Sequence, residues 1–258
     1  MRYFIDRDEW LKKIRDIEFE VIFKDRNNIS KRFCKVLDLG AGEGFSSLRL
    51  SVTSDVVVAV DFDKSRLDRI KSTQINKVVC DAEILCFKKK EFDLVLVSNL
   101  LEHLPDINHI LRNIYTILND NGILIITVPS RAWKILNMLF FYPNQLGIVA
   151  KSIFMRSKTE KSKKVTNNIK STYRYGFLRR NIFPIPHGCG NSSLHEMYNW
   201  GIKRWLRKFA NNNLIVIDVI DRLPLYSGYP LAWEDSVLSP LSILGLTSSY
   251  AFVLKKKF

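Results

Sequence analysis

Through the first half of the chain, short aliphatic runs of strand length alternate with stretches whose apolar residues recur at helical spacing. The runs predict strands near Cys34–Leu39, Asp55–Val60, Lys77–Cys80, Asp93–Ser98 and Ile123–Val128, with helices between them. Asp-Leu-Val-Leu-Val from Asp93 and Ile-Leu-Ile-Ile-Thr-Val from Ile123 are almost continuously apolar. Such runs suit central parallel strands covered by helices on both faces. Asn121-Gly122 is expected to turn the chain into the fifth strand. Cys34 and Cys80 are expected in the strand core.

The rhythm breaks after Val128-Pro129-Ser130, and no strand alternation returns before about Ser192. Ser193-x-x-Glu196 reads as a capping box, and Met197, Trp200, Trp205, Leu206 and Phe209 give the helix that follows an apolar face. Leu214–Val219 and Ser249–Leu254 predict two further strands around a second apolar insertion, Leu225–Leu246. The expected organisation is therefore a helix and the first half of a domain over 1–130, an insertion over 131–192, and a return to the same domain over 193–258. Strands alternating with helices give an α/β, doubly wound, Rossmann-like sheet.

Val36-Leu37-Asp38-Leu39-Gly40-Ala41-Gly42-Glu43-Gly44 joins a buried strand to a helix through a turn crowded with glycine. Glycine there permits positive φ and lets backbone amides approach a ligand at a helix N-terminus. In a dinucleotide-binding turn the third glycine follows the second by three residues; here Gly44 follows Gly42 by two. Asp38 at the strand end would repel a pyrophosphate but could hold a cationic amino acid moiety. Asp61 ends the next strand about twenty residues past the first glycine, where a carboxylate can accept both hydroxyls of a ribose. Asp63 is expected to cap the following helix.

These residues resemble the class I S-adenosylmethionine-dependent methyltransferases, in particular the type 11 group, over roughly Cys34–Ser130. The resemblance implies a seven-stranded methyltransferase sheet with one antiparallel strand, a lid insertion after strand 5, and S-adenosylmethionine as cofactor. It implies cofactor contacts from Asp38, Gly40, Ala41, Gly42 and Gly44, with Asp61 on the ribose and Phe62 beside it. Asp81 and Ala82 would meet the adenine. Phe92-Asp93-Leu94-Val95 and Asn99-Leu100-Leu101-Glu102-His103-Leu104-Pro105 look like the fourth strand and its tail. Ser98 and Asn99 would then lie beside the methionine part and the acceptor.

Charge changes the picture of the insertion. The chain carries a formal net charge of +14, and between Lys151 and Arg180 ten cations face Glu160 alone. A polyanionic partner or merely a solvated basic run would both fit. Trp133–Tyr142 just before it is rich in aromatic residues, and neither that segment nor Leu146–Met155 reaches the roughly twenty apolar residues of a membrane span. The insertion is expected to act as a lid, either packing on the sheet domain alone or also touching an anionic membrane surface. Acidic residues in the first ten positions do not suit a signal peptide, so a cytoplasmic protein is expected. Cys34, Cys80, Cys86 and Cys189 lack zinc-ligand spacing, so neither a disulfide framework nor a structural metal is expected.

The expected acceptor is a hydroxyl or other nucleophile on a small-molecule, glycan, quinone or lipid-linked substrate. Asn99 is followed by Leu100-Leu101 rather than by the Pro-Pro-aromatic run of amino-methylating base enzymes, and no Pro-Cys pair is present for carbon methylation of cytosine. RNA, through charge, and a non-catalytic cofactor-binding role are the alternatives. A hydroxyl acceptor needs a base, and histidine suits neutral pH. His187, between Pro186 and Gly188, ranks first; His103 second; His195 third; His109 is expected on a helix surface. Glu102 is the acidic alternative.

Overall fold

The computed structural model describes residues 7–24, 32–143, 187–188, 193–227 and 245–257. Its centre is a seven-stranded sheet of β1 (Phe33–Leu39), β2 (Ser54–Asp61), β3 (Ile75–Val79), β4 (Phe92–Ser98), β5 (Leu118–Pro129), β6 (Leu214–Ile220) and β7 (Ser249–Lys256), in the order β3-β2-β1-β4-β5-β7-β6. The first five strands are parallel, and β7 runs antiparallel to both β5 and β6. The expected seven-stranded sheet with one antiparallel member is present.

Strand periodicity divides the core in two. Leu37, Leu39, Val95 and Val97 point to one face, where Ile110, Leu111 and Ile114 of helix α4 (Ile107–Ile117) cover them. Val36, Leu94 and Leu96 point to the other, toward Ile22 of α1 (Arg7–Phe23), Leu50 of α2 (Phe45–Thr53) and Leu67 of α3 (Lys64–Leu67). Both faces being dry explains the nearly unbroken aliphatic composition of β4 and β5.

The order of the strands places a crevice. From β1 the chain steps outward to β2 and β3, then returns to lay β4 on the other side of β1. Loops leaving the carboxyl ends of β1 and β4 diverge there, and ligands of open α/β sheets bind at such a switch point.

Three local expectations are corrected. The single helix expected through Phe209 is two, α6 (Ser193–Asn199) and α7 (Ile202–Asn211), because Gly201 is extended and Arg131 fills the break, donating from Nη2 to the Tyr198 carbonyl at 3.0 Å. Asn121-Gly122 is not a turn before the strand but part of a bulge within β5: Phe92 pairs with Leu118, whereas Leu94 pairs with Ile123. Cys34 is exposed and Cys80 only partly buried. Cys34 alternates with buried Phe33 at the start of β1, before the fully covered stretch begins.

The insertion opens as helix α5 (131–143), whose Ala132, Leu136 and Phe140 pack against Leu225. The rest of the expected lid, the basic run of 151–180 and most of the second apolar insertion lie outside the described residues.

Candidate active site

The turn after β1 takes the conformation its glycines allow: φ is +77° at Gly40, +55° at Gly42 and +78° at Gly44. A side chain at Gly44 would also strike Ile70, whose Cγ1 lies 2.5 Å from the position of a Cβ, whereas Gly42 faces open space. The first glycine packs the loop, the last seats it on the helix layer, and the middle one leaves backbone exposed to a ligand. Gly40 and Ala41 both donate their N–H to the Val60 carbonyl at 2.8 Å, pinning the turn to β2.

Two buried carboxylates hold this turn. Asp38, 1% exposed, accepts from the Ser47 hydroxyl at 2.5 Å. Burial, opposed by the Ser47 bonds and helped by the charge of Asp61, pushes its pKa up to about 6. Asp61 accepts from Gly42 N at 2.8 Å and from Asp63 N at 2.9 Å, one with each oxygen. Each carboxylate oxygen can accept twice, so Asp61 retains capacity for a ligand hydroxyl. Asp63 caps α3 as expected, accepting from Ser65 N.

Above the switch point lies a cavity of about 290 Å³. Asp38, Gly40, Ala41, Gly42, Ser98 and Asn99 line it, all of them expected cofactor contacts. Asn99 is held at φ +46° by N–H bonds to Thr127, so its left-handed backbone turns the end of β4 toward the cavity. Asp61, Phe62, Asp81 and Ala82 do not line this cavity; they follow the ends of β2 and β3 beyond it. Phe62 is 75% exposed, and exposed Asp81 accepts from Glu83 N.

Helix α1 closes the cavity and was missed as part of the site. It contributes Arg15 and Glu18, and α3 adds Arg66. Burial pushes Glu18 up to about 7, against the opposing charge of Arg15 and a bond to Ser249. No motif marks these residues; only the docking of α1 on the sheet brings them in.

A second group follows directly after Asn99. The short 3₁₀ turn Leu101–His103 buries Glu102, whose two oxygens have no hydrogen-bond partner among the described residues and whose carboxyl is pushed up to about 8 by burial. His187 returns to this turn: its ring centroid lies 4.9 Å from that of His103 and 4.8 Å from Trp133. Burial lowers His103 from its ordinary range and, with the charge of His103, takes His187 down to about 4. Glu102, His103 and His187 bring three potential ligating atoms within 4.8 Å of one another. The pair of imidazoles thus joins the first- and second-ranked candidates, while His195 is exposed on α6. His109 sits exposed on α4, near the Glu83 carbonyl.

Glu196 holds His187 there. Its carboxylate accepts from Lys134 Nζ at 2.5 Å and from Gly188 N at 2.6 Å, with the Lys134 and Glu196 side chains only 4% and 2% exposed. The capping-box reading turns on Ser193, whose side chain lies outside the described residues. A side chain at Gly188 would collide with the Glu102 carbonyl, so glycine lets the two segments touch.

Residues 37–126 match the methyltransferase domain family. The ubiquinone biosynthesis O-methyltransferase of Coxiella burnetii is 28% identical over 128 residues, covering 47% of this chain and 51% of that protein; the chain thus spans about half the length of the relatives it matches. Among solved structures, an S-adenosylmethionine dependent methyltransferase from Mesorhizobium loti superposes with a TM-score of 0.52 at 13% identity, over 97% of this chain and 98% of that one. The [4+2]-cyclase SpnF is similar to the same degree, with a TM-score of 0.55, 11% identity, and 95% and 81% coverage. Fold likeness at that level extends to a protein named for a cyclisation, so the site must argue the chemistry.

Proposed function

Residues 37–126 form a type 11 methyltransferase domain in a class I fold whose cofactor is S-adenosylmethionine, and from that premise we propose that the chain transfers a methyl group to a hydroxyl of a small-molecule, glycan or lipid-linked acceptor. The observation that carries the reading is the cavity at the β1/β4 switch point, walled by the glycine turn and by Ser98 and Asn99; the Glu102-His103-His187 group follows Asn99 in the chain, outside the cavity lining.

The residues present suit the cofactor. Arg15 and Arg66 offer guanidinium groups to a carboxylate, and Asp38 a partner for an amino group, directly or through water. Open space over Gly42 admits a ligand against bare backbone. Asp61 would take the ribose, and Asp81 with Ala82 the adenine. When bound, S-adenosylmethionine supplies an electrophilic methyl group on a sulfonium. Ser98 and Asn99 would orient the acceptor, and the His103–His187 pair would take its proton. Two touching rings titrate as a pair, so the base is assigned to both rather than to either. Both are shifted below the ordinary histidine range. The pair therefore stays deprotonated in more acid solution, and the acid limb of a turnover profile is expected below pH 6.5.

Ubiquinone O-methyltransferases among the relatives favour a ring hydroxyl of a quinone precursor within this acceptor class. Contact with an anionic membrane is a second reading, favoured by Ile135, Leu139 and Tyr142, which stand 47%, 64% and 51% exposed along α5 next to the basic run.

The test combines calorimetry with S-adenosylhomocysteine formation on a panel of catechols, sugars and RNA. Asp61→Ala is expected to weaken cofactor binding by about 1–3 kcal/mol. His103→Ala and His187→Ala should keep cofactor affinity and lose about 10²–10⁴ in rate on a catechol. Turnover on RNA alone would favour the nucleic-acid alternative, and binding without turnover on any acceptor would favour a non-catalytic role.

A further inference from the structure

Three carboxylates line the cavity, and they are not equally engaged. Glu43 pairs with Arg69 at 2.5 Å, and Asp38 accepts from Ser47. Glu18 is different: it is 9% exposed, yet its Oε1 has no hydrogen-bond partner among the described residues. On its own helix Arg15 stands one turn away, and across from it the Tyr226 phenol shares its contact with Ser249. Arg66 faces the cavity from α3, already 3.8 Å from Asp63. A buried oxygen left open is costly unless something completes it. The cavity itself is what lies open beside Glu18.

Resting on the cofactor reading above, we propose that Glu18 is the residue by which this cavity reads the charge of its ligand, favouring the cationic methyl donor over the neutral thioether that transfer leaves. An uncharged ligand atom could at most share a hydrogen bond with a neutral carboxyl. A cation stabilises the ionised form and satisfies the open oxygen by a charge-assisted contact. In methyl transfer the acceptor oxygen bonds the carbon, the sulfur keeps the electron pair of the broken bond, and its positive charge disappears. Glu18 then loses the partner that favoured its ionised form, which weakens the grip on product. Asp38 sits on the glycine-turn side at β1, whereas Glu18 is tied to Ser249 at the start of β7, opposite Pro129 of β5. The two acids therefore act from opposite sides of β4, and Glu18 is on the side of the strands that flank the Asn99 exit.

The full chain is titrated with sinefungin, a stable donor analogue with an amine in place of the sulfonium, and with S-adenosylhomocysteine. The wild type is expected to prefer sinefungin, and Glu18→Gln to lose roughly tenfold in sinefungin affinity while its affinity for S-adenosylhomocysteine changes little, the size of one charge-assisted contact. Glu18→Asp, which keeps the charge, should retain the preference. Wild-type titrations in two buffers of different ionisation enthalpy give a second readout: sinefungin binding near pH 7 should release more protons than product binding. Equal losses for both ligands, or no change in their ratio and no difference in proton release, would overturn the proposal. Failure of the wild type to bind either ligand would overturn the cofactor reading and this proposal with it.

Discussion

Replacing Lys134 by methionine tests whether one buried ion pair holds the candidate base in place. Lys134 Nζ stands 2.5 Å from Glu196, with both side chains at most 4% exposed, and 5.6 Å above the ring of Trp200. Methionine keeps the apolar stem but strands the Glu196 charge in a dry site. Removing one partner of a buried pair typically costs about 3–5 kcal/mol. For a chain of this size that corresponds to a fall in melting temperature of roughly 6–20 °C. The double variant Lys134→Met with Glu196→Gln removes the stranded charge while an amide oxygen can still accept from Gly188 N, so it should recover most of the loss. Urea denaturation of the two variants measures both quantities. Proton NMR supplies a local readout, because burial and the charge of Lys134 both hold His187 down near 4. Its pKa should rise in Lys134→Met, while cofactor affinity holds, since neither Lys134 nor Glu196 lines the cavity. A loss under about 1 kcal/mol, or a double variant as unstable as the single one, would refute the reasoning.

Glu18 should also set a pH dependence of stability. Its folded pKa of about 7 lies above the ordinary 4.5, so the folded state binds the extra proton between those values, and stability is full below 4.5 and falls as pH rises through 7. Glu18→Gln should abolish that fall, gaining on the order of 3 kcal/mol over wild type between pH 4 and pH 8 in denaturant titrations; parallel curves would contradict the shift. The membrane reading predicts that the chain floats with anionic but not with neutral liposomes, and that the recovery declines as salt shortens the Debye length below roughly 8 Å. Equal recovery with both lipids would dismiss it.

Much of the sheet could be read from local pattern. Each of the seven strands announced itself through aliphatic alternation or a continuous apolar run, and their boundaries in the structure differ mainly where β5 extends backward through its bulge. The glycine turn was equally legible, since positive φ at Gly40, Gly42 and Gly44 is written in the residue type. Asp63 as a cap and His109 as a surface residue follow from neighbours within a few positions.

Contacts between distant residues could not be read that way. Ser193-x-x-Glu196 matches a capping box locally, and nothing in that match points to Lys134, sixty-two positions away, which pairs with the carboxylate. His187 and His103 were separate candidates until Glu196 held Gly188 against the Glu102 backbone. No motif marks helix α1, and its docking beside β1 and β7 is what turns Glu18 into a cavity wall. By itself the sequence determined the strands, the turn conformation and the acids at the strand ends, because period-two burial and backbone φ act over a few residues. Only the tertiary structure decided which charges are buried together, because pairing and desolvation depend on where distant segments meet in space.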